Sequence, residues 1–230
     1  MSDWDKVYGI RNMTMWEPQQ SIVQFVNRFI KKRIAYDKYK VINNYKKVLD
    51  LGCGNGSAVH FLAKNKFDVY GVDISDLAIE IAKDFIFQEG LKADLQTCSC
   101  DSLPYDDNFF DFIICYGVLD HVPISVAQES IKEIKRTLKS GGLFFCSLIS
   151  TDSTLFGKGE KVDYHTYLIE EGMEEGEIQH YFDIQEINDL FADFKILDIR
   201  QTHEYLYSSD GKKRLDTSSR WFITSELKNE

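Results

Sequence analysis

No apolar run in this chain approaches the roughly 18 residues that a membrane-crossing helix needs. The opening residues Met1 to Lys6 are polar and lack the apolar centre of a secretion signal. Both absences lead to the expectation of a cytoplasmic protein with no membrane partner. Positive charge is also scarce: 27 Lys and Arg stand against 37 Asp and Glu, a net charge of −10. A nucleic-acid binder carries a basic footprint, so nucleic acid is not an expected partner. One local basic run (Arg28, Lys31, Lys32, Arg33, Lys38, Lys40, Lys46, Lys47) reads first as a solvated helix face and loop. A hold on an anionic substrate is its alternative reading. The five cysteines are an odd number without a secretion signal, which argues against a disulfide scaffold. Cys98-x-Cys100 lacks a second ligand pair at zinc spacing, so no metal is expected. Repeats and low-complexity segments are absent, and 230 residues suit one sizeable domain.

What stands out is Asp50-Leu51-Gly52-Cys53-Gly54-Asn55-Gly56, between the apolar pair Val48-Leu49 and an amphipathic segment. Glycine in a strand-to-helix turn lets the backbone take left-handed angles and approach a ligand closely. A dinucleotide fingerprint spaces its glycines as Gly-x-Gly-x-x-Gly. Here they stand at 52, 54 and 56, position 57 is Ser, and an acid precedes the first glycine by two. Asp-x-Gly-x-Gly-x-Gly resembles the first motif of the class I S-adenosylmethionine-dependent methyltransferases.

Periodicity organises the rest. Residues 18–34 read as a helix with Ile22, Phe25, Val26, Phe29 and Ile30 inward and Pro18 in its first turn. Strands follow at about 47–51, 67–73, 95–99 and 110–116. Between them, Ala58, Phe61 and Leu62 mark one helix. Ser75 caps a second, with Ala78, Ile81, Ala82 and Phe85 on its inner face. Ala127, Ile131, Ile134 and Leu138 line a third, stopped by Ser140-Gly141-Gly142. Leu143 to Ile149 is a nearly continuous apolar run, as for a strand buried on both faces. This alternation implies a doubly wound, mostly parallel sheet in one domain. Residues 1–40 form a helical cap, 46–149 the cofactor-binding core, and 150–182 an irregular substrate-side lid. The remainder, 183–230, holds a helix and a strand hairpin turning at Ser208 to Gly211, so one edge strand should be antiparallel.

Polar groups recur at the strand ends. Asp73 ends the second strand, Asp101 follows the third, and the stretch from Asp111 to Val122 carries the fourth into its turn. Ligands bind at this edge of such sheets. Leu138-Lys139-Ser140-Gly141-Gly142 is similar to the methyltransferase family's Leu-Lys-Pro-Gly-Gly turn, with Ser140 in place of Pro. Tyr181 to Ile187 resembles a helix start common in that family. The resemblance covers residues 46–149 and is to the small-molecule branch. It implies a Rossmann-like seven-stranded sheet, its last strand antiparallel, with helices on both faces. It also implies S-adenosylmethionine as cofactor and S-adenosylhomocysteine as product.

The expected cofactor set is Asp50, Gly52, Gly54, Gly56, Asp73, Ile74, Asp101, Ser102 and Tyr116. Asp73 suits the ribose hydroxyls through its two oxygens, or else caps the next helix. Asp101 suits the adenine amine, the backbone at Ser102 the ring edge, and the carbonyls near Tyr116 the cofactor's ammonium. His121 is the candidate general base, since histidine titrates near neutral pH. Packing beneath the cofactor is its equal alternative. Asp120 is read as beginning the next helix. Tyr8 and Trp16 at the N-terminus, and Tyr164, His165, His180 and Tyr181 in the lid, are the candidate substrate contacts. The function expected is methyl transfer to a small-molecule acceptor. The alternatives are a nicotinamide-dependent oxidoreductase, in which Asp101 has no role, and a non-catalytic protein that binds S-adenosylmethionine.

Overall fold

A computed structural model describes residues 3–10, 17–36, 38–172, 174–207 and 213–228. Trp16 and the turn at Ser208 to Gly211 lie outside the described residues. The chain opens with α1 (Asp3–Ile10) and α2 (Gln20–Phe25), whose last turn widens into a π turn (Val26–Ile30). The short strands β1 (Lys31–Arg33) and β2 (Tyr39–Val41) follow as an antiparallel pair. The core then alternates: β3 (Lys47–Leu51), α3 (Ser57–Lys64), β4 (Asp68–Asp73), α4 (Asp76–Gln88), β5 (Asp94–Thr97), β6 (Phe110–Tyr116), α5 (Ile124–Thr137) and β7 (Leu138–Ile149). Next come β8 (Lys161–Asp163), β9 (Thr166–Leu168), β10 (Ile178–His180), α6 (Ile184–Leu190), β11 (Phe194–Tyr207) and β12 (Lys213–Leu227).

The main sheet has seven strands in the order β11-β12-β7-β6-β3-β4-β5. From β7 to β5 all neighbours are parallel. β12 runs antiparallel to both β11 and β7. The antiparallel strand therefore lies one place inside the edge rather than at it, because the β11–β12 hairpin folds its second arm back against β7.

Strand alternation sorts side chains to two faces. Val48, Phe112 and Ile114 pack with Ile22 and Phe25 of α2, Val59 and Leu62 of α3, and Ile79 and Ala82 of α4. Leu49, Ile113 and Cys115 pack with Ala127, Ile131 and Ile134 of α5 and Ile187 of α6. Burying each such aliphatic or aromatic side chain contributes about 1.5–3 kcal/mol, which is why the parallel strands read as unbroken apolar runs. All five cysteines are free thiols, and Cys53, Cys115 and Cys146 are buried. Among the described residues no helix is long and apolar enough to cross a membrane.

Four local expectations change. The predicted helix over 18–34 ends at Ile30, because the Ile30 carbonyl accepts from Ile42 N–H and draws residues 31–33 into a hairpin. The buried face of α4 is Ala78, Ile79, Ala82 and Ile86. Ile81 is only half-buried, and so is Phe85, whose ring packs on His60 of α3 at 4.7 Å. Leu138 belongs to β7, not to the preceding helix: it pairs with Phe110, and Ser140-Gly141-Gly142 forms an irregularity inside the strand. The segment 150–182 is not irregular throughout, since β8, β9 and β10 form an antiparallel sheet.

Candidate functional site

One cavity of about 740 Å³ runs along the carboxyl ends of β3, β4 and β6, within the usual range for a ligand pocket. The glycine turn after β3 forms its floor. Gly52 and Gly54 have φ of 72° and 52°, angles that L side chains rarely adopt. Space also demands glycine there. A Cβ on Gly52 would collide with Val118, and one on Gly54 would lie 2.5 Å from the Tyr8 hydroxyl. Gly56 shares the left-handed conformation and begins α3 as its N-cap.

Two acids flank the turn. Asp73 is buried; its Oδ2 accepts from Gly54 N–H at 2.8 Å and its Oδ1 from Ser75 N–H at 3.0 Å. Burial raises its pKa, and these backbone N–H groups hold it down in part. The cap of α4 is Ser75, whose Oγ accepts from Ala78 N–H. Asp50 is 3% exposed, and its Oδ2 has no partner. Burial, and secondly the charge of Asp73, push its pKa up to about 7. Cys98, Ser99, Cys100 and Asp101 line the next stretch of wall, and Ser99 Oγ donates to Asp101 Oδ1.

Beyond β6 the wall changes character. Trp4, Val122, Val126, Ile149 and Leu155 give it apolar surface. His121 lies among them with its ring edge-on to Trp4 at 5.1 Å. Its Nδ1 is buried without a partner, which leaves Nε2 as the reachable nitrogen. Asp120 is fully buried, and Oδ2 accepts from Ile149 N–H and from Arg220 Nη1. It does not begin α5, which starts after Pro123. The Asp120 carbonyl accepts from His180 N–H and Gln179 Nε2, tying this turn to β10.

Residues 49–146 match the family described as Methyltransferase domain. Over these residues the chain is similar to the methyltransferases. Two ubiquinone biosynthesis O-methyltransferases are similar. The protein from Coxiella burnetii is 36% identical over 118 residues, 51% of this chain and 50% of the relative. The one from Nitrosomonas europaea is 31% identical over 106 residues, 46% of this chain and 44% of the relative. The chain spans about half the length of the curated relatives it matches. A crystal structure of a SAM-dependent methyltransferase from Methanosarcina mazei shares the fold. Its TM-score is 0.69 at 24% identity, covering 82% of this chain and 95% of that one. The nicotinamide reading of the glycine turn gives way to this match.

The geometry of the glycine turn fits S-adenosylmethionine, the cofactor that the resemblance implies. The turn admits no side chain at Gly52 or Gly54, and Asp50 Oδ2 is a buried acceptor without a partner. Of the predicted cofactor set, Asp50, Gly52, Gly54, Asp73, Ile74, Asp101 and Tyr116 line the cavity. Ser102 does not: it is exposed, with its N–H turned back to the Ser99 carbonyl. Cys98, Ser99 and Cys100 line the wall instead. Gly56 also stands behind the turn, against Ala82.

Among the described substrate candidates only Tyr8 lines the cavity, where the candidate base His121 also lies. Tyr164 is 60% exposed and stacks on His165. His165 Nδ1 pairs with Glu186 Oε2 at 2.7 Å, and His180 Nδ1 meets Thr166 Oγ1 at 2.7 Å. Tyr181 is buried against Phe156 and Tyr167. The capping box of Asp183 and Glu186 at the start of α6 explains this displacement, because it draws the two histidines into a structural cluster. His165, Asp183 and Glu186 hold ligand-type atoms within 4.8 Å of one another, but hydrogen bonds already engage them. The lid reaches the cavity through Leu155, Glu174 and Gln179 instead.

Trp4, Asp5 and Arg220 also escaped sequence reading. Trp4 lines the cavity from α1, and Asp5 anchors that helix by accepting from Ser75 Oγ at 2.6 Å. Arg220 enters from β12. Its sequence trace is a lone cation heading the apolar run Trp221-Phe222-Ile223.

Proposed function

We propose that this protein transfers the methyl group of S-adenosylmethionine to a small-molecule acceptor. What carries the reading is one cavity with two halves: the glycine turn with its acids on one side, and an apolar wall holding His121 on the other. The cofactor, when bound, supplies an electrophilic methyl group. Asp73 keeps a free lone pair on each oxygen for the ribose hydroxyls. Tyr116 lines the cavity, and the backbone carbonyls near it accept from the cofactor's ammonium. Trp4, Val126 and Leu155 exclude water from the acceptor side and align the nucleophile. The curated relatives are O-methyltransferases by name, which favours an oxygen acceptor. A hydroxyl acceptor sheds its proton as the O–CH₃ bond forms, and His121 Nε2 takes it.

Calorimetry with S-adenosylhomocysteine and NAD, followed by isotope-labelled methyl transfer into a metabolite extract, tests this. The expected result is binding of the first compound only, with label in a small molecule. Cofactor binding with no labelled product would refute catalysis.

A further inference from the structure

We propose that Arg220 anchors the acceptor, and that the acceptor is an apolar molecule bearing a carboxylate. This rests on the methyltransferase reading above and names the substrate class for the same site. Arg220 sits on β12 opposite Ile149 of β7. Among the described residues lining the cavity it is the sole Lys or Arg. The other charged side chains on the wall are Asp50, Asp73, Asp101 and Glu174. An anion entering this cavity therefore finds a cation in one place.

The guanidinium is fixed before any ligand arrives. Its Nη1 lies 2.8 Å from Asp120 Oδ2 and 3.3 Å from Ser147 Oγ. Its centre stands 5.6 Å over the Tyr116 ring. The side chain is 19% exposed, so little of it reaches open solvent. All of the polar contacts it makes to described residues run through Nη1. The N–H groups on Nε and Nη2 have no partner among the described residues, and neither nitrogen is sealed inside protein. Those two nitrogens form the edge of the guanidinium that matches the two oxygens of a carboxylate in one plane. Asp120 orients this edge without occupying it. Trp4, Val122, Val126 and Leu155 supply the apolar surface for the rest of the molecule.

Two matched pairs test the assignment: benzoate against benzamide, and hexanoate against hexanamide. Each is titrated into protein already saturated with S-adenosylhomocysteine and followed by ligand-observed NMR. The carboxylates should bind at least about tenfold tighter than the amides. Arg220→Met should erase the preference, and Arg220→Lys should keep part of it. Because Arg220→Met strands the buried Asp120 charge, the double variant Arg220→Met with Asp120→Asn is measured beside it, with the same loss expected. Equal binding of acid and amide, or binding of neither, by the wild-type protein would overturn the proposal. A fall in S-adenosylhomocysteine affinity on Arg220→Met with the preference intact would overturn it too, by assigning the arginine to the cofactor. No S-adenosylhomocysteine binding by the wild-type protein would refute the methyltransferase reading itself.

Discussion

Replacing Asp73 tests the site's architecture and its ligand chemistry together. Its two oxygens accept from Gly54 N–H at 2.8 Å and from Ser75 N–H at 3.0 Å, and all three residues are buried. Asp73→Ala leaves both donors unpaired. Each buried, unsatisfied N–H costs about 1–3 kcal/mol, so the variant should lose roughly 2–6 kcal/mol. That is a large share of the typical 5–15 kcal/mol of total stability. In a chain of this length the melting temperature should fall by on the order of 10 °C. Asp73→Asn retains one acceptor oxygen and should lose about half as much. The cofactor effect is separate. Hydrogen bonds from ribose hydroxyls to a charged oxygen contribute about 1.5–3 kcal/mol, so Asp73→Asn should weaken S-adenosylhomocysteine binding about 10- to 100-fold. Thermal melts followed by calorimetry at a temperature where the variant is folded measure both. A wild-type melting temperature for Asp73→Ala would refute the hydrogen-bond accounting. Wild-type affinity in folded Asp73→Asn would remove the ribose role.

Two further outcomes follow from the same wall. Asp50 has a folded-state pKa raised from 3.8 to about 7, so its stabilising contribution is complete below about pH 4 and is lost as pH rises towards about 7. Urea unfolding of the ligand-free protein between pH 4 and 8 should show that decline, and Asp50→Asn should flatten it; identical slopes would contradict the assignment. His121→Ala should lower the transfer rate at least tenfold while keeping S-adenosylhomocysteine affinity and the wild-type melting temperature. If instead the variant melts early and its folded fraction keeps the wild-type rate, the ring serves to pack against Trp4.

The parts of this molecule legible in its sequence are those set by short-range patterning. The apolar runs at Val48, Ile113 and Phe144 read as strands because both of their faces are covered. The glycine turn read as a ligand floor because Gly52 and Gly54 need angles other residues avoid. Asp73 and Asp101 read as site residues because one ends and the other follows adjacent strands. Legibility failed where a residue's role depends on distant chain. His165 and His180 carry the chemistry expected of a lid, yet Glu186 in the next helix claims both. Trp4 and Asp5 gain their positions only once Ser75 is in place to donate. The helix stops at Ile30 because Ile42 N–H takes the Ile30 carbonyl, which no helical periodicity records.

The placement of β12 also governs the order in which the site can be assembled. β11 is synthesised first, yet its sole neighbour in the main sheet is β12. It has nothing to pair with there until the later strand has been made and has found β7. The glycine turn, Asp73 and the β6 edge depend on no such wait, since β3, β4, β5 and β6 pair among themselves. A growing chain can therefore pair the strands around the glycine turn before β12 is made. Arg220 meets Asp120 only when β12 slides in beside β7, so the opposite half is completed by the last main-sheet strand to be made.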